Sequence, residues 1–204
     1  MSARVAATVG GECVTVAEVD ARERALRAGG AADALPRPGT SEARQLRRWI
    51  TQVLVAERVV AAEARMLGAC GDHAPAMQDV LPDEVARLEI GSVAASTLAE
   101  PLGRAVFARV TARVAVSDAE VRDYHCRNPF RFATSPALRG GWHRAPERPA
   151  LDEVRPLVTA HLLAAARRRD YRRWLDSRCA DVVGLARGYE HPGDPRQPDN
   201  THRH

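Results

Sequence analysis

The chain has 204 residues, of which 45% are hydrophobic and 27% are charged, so it can bury a core and is not disordered throughout. Its basic residues are all arginine, and 26 acidic residues offset most of their 30 charges, so the net charge of +4 says little about partners. No stretch is long and apolar enough to cross a bilayer, and the N-terminus lacks the apolar core of a signal peptide, which predicts a cytoplasmic protein without a membrane partner.

The N-terminus predicts a β-hairpin followed by a helix. Short β-branched runs flank Gly10 and Gly11, a pair that suits a two-residue hairpin turn because both positions accept positive φ. Thr15 and Glu18 have the spacing of a capping box. We therefore expect a helix that begins there and is closed by the two glycines at 29–30.

A long amphipathic helix is predicted from Ser41 to Leu67, because apolar residues recur on one face at helical spacing and Gly68 follows. Glu57 lies in the middle of the apolar stripe, where an ionised carboxylate needs a partner. Burial would raise its pKa, as in a catalytic acid, so Glu57 is a candidate catalytic residue. We nevertheless interpret it as the structural partner of an arginine.

Shorter helices are predicted in the middle of the chain. Residues 68–82 are expected to connect the long helix to one that begins at Pro82 and extends to about Leu98. A further helical stretch is expected over residues 103–112.

A second capping box and a loop follow. Ser117 and Glu120 predict a short helix that ends at residues 128–129, where an Asn-Pro pair stands. Residues 133–150 are rich in Pro and Gly and are expected to form a linker or a binding loop.

The last helix is predicted over residues 151–179. Tyr171 and Trp174 share one face of it, and the arginines of "RRRDYRR" gather on the opposite face. Such a cluster could bind phosphates, but we interpret it as a solvated face and do not expect nucleic acid as a partner. The segment "ADVVGLA" predicts a strand that joins the hairpin.

The predicted fold is therefore mainly α-helical, with a small β-hairpin and one C-terminal strand. Residues 1–186 are assigned to a single helical domain in which residues 133–150 form a loop. Residues 187–204 are assigned to a C-terminal tail rich in Pro, His and Asp. The four cysteines are far apart in the sequence and are expected to be free thiols.

Several stretches resemble the SurA/PrsA-type foldases, chaperones linked to parvulin domains. "VAATVGGECVTVAEVDAR" is similar to the opening strand, turn and helix of that family, and "QLRRWITQVLVAERVVAAEARMLG" to its long second helix. "VAVSDAEVRDYHCRNPFRF" resembles the stretch that leads into the isomerase domain. The closing helix and strand are similar as well, so the resemblance covers residues 5–67 and 114–186.

The resemblance implies a helical chaperone without its isomerase. Where the family carries a parvulin domain, this chain has about twenty residues between Phe132 and Leu151, too few for a domain. What remains would cradle a peptide or a small hydrophobic molecule, and the chain could pair as a homodimer. The aromatic side chains assigned to ligand binding are Trp49, Trp142, Tyr171 and Trp174.

The tail contains candidate metal ligands. His191, His202 and His204 are of the type that binds Zn²⁺ or Fe²⁺, so a divalent metal is a possible cofactor. Their spacing matches no established zinc signature, and the alternative is a solvated, proline-stiffened tail.

A second cluster, Tyr124, His125 and Cys126, lies at a helix end beside the loop. A cysteine near a histidine could act as a nucleophile, but adjacent helix positions point about 100° apart. The alternative is a packed Tyr124 beside a solvated His125. His161 in the last helix is interpreted as a core or surface histidine.

Three functions stay open at this point. The first is a chaperone-like binding protein, and the second is a metal-dependent or acid/base enzyme of bacterial specialised metabolism that uses the helical cradle as its pocket. The third is binding of an acidic partner by the arginines. The sequence has no Walker loop, Rossmann fingerprint, G-x-S-x-G elbow or H-E-x-x-H pair, so those chemistries are not indicated.

Overall fold

The computed structural model describes residues 4–30, 32–133 and 148–194. The elements in this part of the chain are, in order, β1 (Val5–Val9), β2 (Glu12–Thr15), α1 (Val16–Arg27), α2 (Ser41–Leu67), α3 (Met77–Val80), α4 (Glu84–Ile90), α5 (Ser92–Thr97), α6 (Pro101–Val110), α7 (Asp118–Arg127), α8 (Leu151–Val182) and β3 (Val183–Leu185). The predicted fold class, mainly α-helical with an N-terminal hairpin and a C-terminal strand, is confirmed.

The sheet has three antiparallel strands, with β1 between β2 and β3. Gly10 and Gly11 have φ values of 55° and 92°, in the left-handed region that glycine adopts without strain, so the predicted hairpin turn is confirmed. β3 pairs with β1, placing Leu185 opposite Ala7, as expected for the third strand.

The first capping box is present. The hydroxyl of Thr15 accepts a hydrogen bond from the backbone of Glu18, whose carboxylate accepts one from the backbone N–H of Thr15 at 2.7 Å. The Thr15 N–H is the main reason why the pKa of Glu18 is lowered, with further contributions from the Thr15 hydroxyl and from Arg58. Helix α1 ends at Arg27, slightly earlier than predicted, with Ala28 as its C-cap.

Helix α2 begins and ends where the sequence predicts. Thr40 caps its first turn, and Gly68 ends it in the left-handed conformation with φ of 59°. Glu57 accepts two hydrogen bonds from Arg22 of α1, at 3.0 and 2.7 Å. The interpretation of Glu57 as the partner of an arginine is therefore confirmed.

Two predictions about the middle of the chain were wrong. The segment after α2 is not all loop, because it contains a 3₁₀ turn (Gly71–His73) and the short helix α3. The helix expected from Pro82 to Leu98 begins after Asp83, which caps it, and is interrupted at Gly91. Gly91 has φ of 88°, which an α-helix cannot accommodate, so the segment forms two helices, α4 and α5.

The chain forms two compact units. The first unit extends to Val110 and continues from Tyr171. In this unit, α2 packs against α1, α5, α6 and the sheet. Its fully buried side chains include Ile50, Ile90, Leu98 and Tyr171. The long helix α2 thus forms the centre of this unit.

The second unit comprises residues 111–170 and contains α7 and the first twenty residues of α8. Its core is formed by Val121, Val154 and Val158, against which Tyr124 and Phe132 pack. The second capping box is confirmed at the start of α7. In the part of the chain that the structure describes, no helix is both long and apolar enough to span a membrane.

Candidate functional site

The first unit contains a cleft of about 670 Å³. It lies between α2, the junction of α4 and α5, the C-terminal part of α8 and residues 191–192. This volume falls within the range of roughly 300 to 1,000 Å³ that small-molecule sites occupy.

Much of the lining of the cleft is apolar. Trp49 of α2 faces it together with Ile90, Val93 and Leu175. The indole Nε1 of Trp49 donates a hydrogen bond to the hydroxyl of Ser92 at 2.9 Å, which holds the ring in one orientation. The break at the α4–α5 junction therefore shapes the cleft, because it places Ser92 within reach of α2.

The polar side chains of the cleft include Gln52, Arg172 and Asp176. The side-chain amide nitrogen of Gln52 is buried and, among the described residues, has no hydrogen-bond partner. Arg172 Nε lies 3.9 Å from Asp176 Oδ2, and both side chains are more than half exposed, so this ion pair is weak. The guanidinium of Arg172 also lies against Gly91, where an added Cβ would be 3.9 Å from its Nη1.

The C-terminal segment is anchored to the first unit, which places His191 at the cleft. Arg48 Nε donates to the carbonyl oxygen of Gly188 at 3.4 Å, and Arg47 donates to the Tyr189 hydroxyl at 3.3 Å. Tyr189 also packs against the buried cluster of Ala6, Val19 and Ile50. As a result, the segment through residue 192 lies against α2 and lines the cleft.

A backbone hydrogen bond fixes which ring nitrogen of neutral His191 carries the proton. Its Nδ1 accepts a hydrogen bond from the backbone N–H of Gly193 at 3.0 Å, so the neutral imidazole carries its proton on Nε2. His191 therefore presents a ring N–H donor at Nε2.

We expect Cys179, which lines the cleft, to react with iodoacetamide roughly ten times more slowly than the exposed Cys13, Cys70 and Cys126. Burial, assisted by the charge of Asp176, raises the pKa of Cys179 to about 11, and only the thiolate attacks the reagent. Peptide mass spectrometry after brief alkylation of the folded protein measures the rates. Labelling of Cys179 as fast as that of Cys13 would contradict this prediction.

The structure brings together two of the side chains singled out in the sequence, Trp49 and His191. Tyr171 is fully buried, and its hydroxyl lies 2.8 Å from Thr97 Oγ1, so it belongs to the core. Trp174 is partly buried beside it, with ring centroids 5.4 Å apart. Glu57, paired with Arg22, does not line the cleft.

Three predicted site residues, Trp142, His202 and His204, lie outside the described residues. The metal site predicted for the tail is thus represented only by His191. Within residues 4–30, 32–133 and 148–194, no group of three or more His, Cys, Asp or Glu side chains is arranged to hold a metal ion.

The cluster in the second unit differs from the expectation. His125 is buried rather than solvated, with its Nε2 3.0 Å from the carbonyl oxygen of Pro149, because α7 turns this face towards the residues that precede α8. Cys126 is exposed. The hydroxyl of Tyr124 is hydrogen-bonded to His161 at 3.1 Å. His125 and Cys126 line a cleft of about 470 Å³, but the imidazole bonds a backbone carbonyl and not the thiol.

Sequence reasoning missed Gln52 and the anchoring of the tail, and Arg172 was predicted only as one of the arginines of "RRRDYRR" on a solvated face. One signal was available for the anchor, since Tyr189 is the only large nonpolar side chain in an otherwise polar tail. An isolated aromatic residue of this kind indicates a docking point. No comparable signal distinguishes Gln52 or Arg172 from their polar neighbours.

A family model described as a family of unknown function (DUF7158) matches residues 5–42. No curated protein and no solved structure matches the chain. The matched segment contains the hairpin, α1 and the start of α2, and ends before Trp49, the first residue that lines the cleft. The match therefore concerns the N-terminal elements and carries no information about the chemistry of the cleft.

Proposed function

We propose that this protein is a chaperone-like binding protein that cradles a peptide or a small hydrophobic molecule and lacks prolyl isomerase activity. The cleft of the first unit carries the proposal. It combines an apolar lining with a few polar groups, which is the usual composition of a ligand site.

The orientation of Trp49 supports binding rather than a purely structural role. Its ring is partly buried and held by Ser92, so a ligand that stacks on it does not have to order the side chain first. Buried tryptophans are among the residues that contribute most to binding energy.

Two observations favour reversible binding over catalysis by the thiol or the carboxylate of this cleft. The thiol of Cys179 is protonated near neutral pH, because burial raises its pKa to about 11. Asp176 is largely exposed, so it is not held in the desolvated setting that tunes a catalytic acid.

The short segment between α7 and α8 supports the proposed lack of isomerase activity. The resemblance to SurA/PrsA-type foldases implies a parvulin domain between α7 and α8, yet only about twenty residues separate Phe132 from Leu151. A domain needs about fifty residues or more.

We expect Trp49→Ala to weaken binding of Nile red, an uncharged apolar dye, by about tenfold or more, because truncation of a central tryptophan removes most of the contact. Met66→Ala, on the same helix but 67% exposed and outside the cleft, should bind as the wild type does. Fluorescence titration measures both dissociation constants. The same pair should differ in suppressing the aggregation of a chemically unfolded client protein. Unsaturable dye binding, or equal affinity in the two variants, would count against the proposal.

An acid/base or metal-dependent enzyme is the second candidate, and the position of His191 at the cleft favours it. This candidate predicts near-stoichiometric Zn or Fe in the untagged protein, or a turnover that is lost in His191→Ala. Mass spectrometry of the wild type and of His191→Ala measures the metal content. Metal that is near-stoichiometric in the wild type and lost in the variant would support a metal-dependent enzyme, and its absence from the wild type would contradict one.

A further inference from the structure

The polar groups of the cleft are mostly hydrogen-bond donors. Gln52 lines the cleft, and its side-chain amide nitrogen is buried and has no partner in the described part of the chain. The neutral ring of His191 carries its proton on Nε2. Arg172 has its Nε towards Asp176 at 3.9 Å, which leaves its terminal N–H groups beside the α4–α5 junction. Asp176 is the one carboxylate among the described residues that line the cleft.

Such an arrangement selects an acceptor-rich ligand. The planar guanidinium of arginine matches the two oxygens of a carboxylate and forms paired, charge-assisted hydrogen bonds. A buried donor such as the Gln52 amide is unfavourable until a carbonyl oxygen reaches it. The apolar lining around Trp49 accommodates a hydrophobic side chain.

We propose that the cleft binds the free C-terminal end of an apolar peptide, an inference that rests on the proposed binding function. Arg172 holds the terminal carboxylate, Gln52 donates to a backbone carbonyl oxygen, and the last side chain packs on Trp49. Asp176 accepts a backbone N–H of the peptide. A simple organic acid offers the carboxylate but neither the carbonyl nor the N–H, so the peptide end matches more of the site.

The test compares two peptides that differ only in their C-terminal group. Isothermal titration calorimetry on the full-length chain uses N-acetyl-Ala-Leu-Phe as the free acid and as the C-terminal amide. The wild type should bind the acid at least about tenfold more tightly, the usual effect of one charged hydrogen-bonded contact. In Arg172→Ala this preference should fall below about twofold. Arg173→Ala is the matched control, because its side chain is exposed and does not line the cleft, and it should keep the preference.

Each result bears on a different statement. Equal affinity for acid and amide in the wild type overturns the carboxylate site but leaves the binding function in place. Failure of both peptides and of Nile red overturns the binding function together with this inference. 4-Phenylbutyrate serves as the organic acid, and affinity equal to that of the peptide acid overturns the assignment to a peptide end. If Arg172→Ala does not fold, the comparison of the acid and the amide peptide in the wild type still tests whether the cleft binds a carboxylate.

Discussion

Replacing Gly103 with alanine should lower the free energy of unfolding by about 3 kcal/mol. A Cβ at this position of α6 would lie 1.8 Å from the carbonyl oxygen of Thr97 and 2.7 Å from its carbonyl carbon. Both are backbone atoms and cannot rotate away, so the end of α5 or the start of α6 must move. Because α5 and α6 both pack on α2, the displacement disturbs the centre of the first unit.

Urea unfolding followed by far-ultraviolet circular dichroism measures this effect. Gly30→Ala is the matched control, since no atom lies within 4 Å of a Cβ there and the backbone does not have positive φ. Its free energy of unfolding should change by less than about 0.5 kcal/mol. Equal stability of the two variants would show that the close approach of Gly103 to Thr97 is not maintained in solution.

Replacing Arg178 with methionine should also destabilise the protein, by about 3 kcal/mol. Glu63 of α2 is only 8% exposed, and Arg178 of α8 donates to its carboxylate from Nε at 2.8 Å and from Nη2. Without the guanidinium, the carboxylate stays in a mostly buried position with its charge uncompensated. Loss of one partner of a buried pair is more harmful than loss of both.

A double variant separates charge from packing. Glu63→Leu combined with Arg178→Met removes both charges and should be more stable than Arg178→Met alone. Arg155→Met is the control for an exposed pair, because its partners Asp118 and Asp152 are 79% and 90% exposed. It should change stability by less than about 0.5 kcal/mol. A double variant no more stable than the single one would mean that Arg178 contributes through packing, not through its charge.

The sequence by itself determined the local structure wherever a few neighbouring residues decide it. The capping box of Thr15 and Glu18, the turn at Gly10 and Gly11, and the end of α2 at Gly68 were all predicted and are present. Each depends on hydrogen bonds or φ values within about four residues. The fold class followed from these signals together with the helical spacing of the apolar residues.

Only the tertiary structure decided which distant residues meet. Glu57 was expected to pair with an arginine, but that the partner is Arg22 depends on how α1 lies on α2. The cleft depends in the same way on contacts across the chain, since Arg48 reaches Gly188, 140 positions away, and so brings His191 beside Trp49. Side-chain packing selects such partners from many chemically equivalent arginines and histidines. For this reason the composition of the site, unlike the helices that carry it, is a property of the folded molecule.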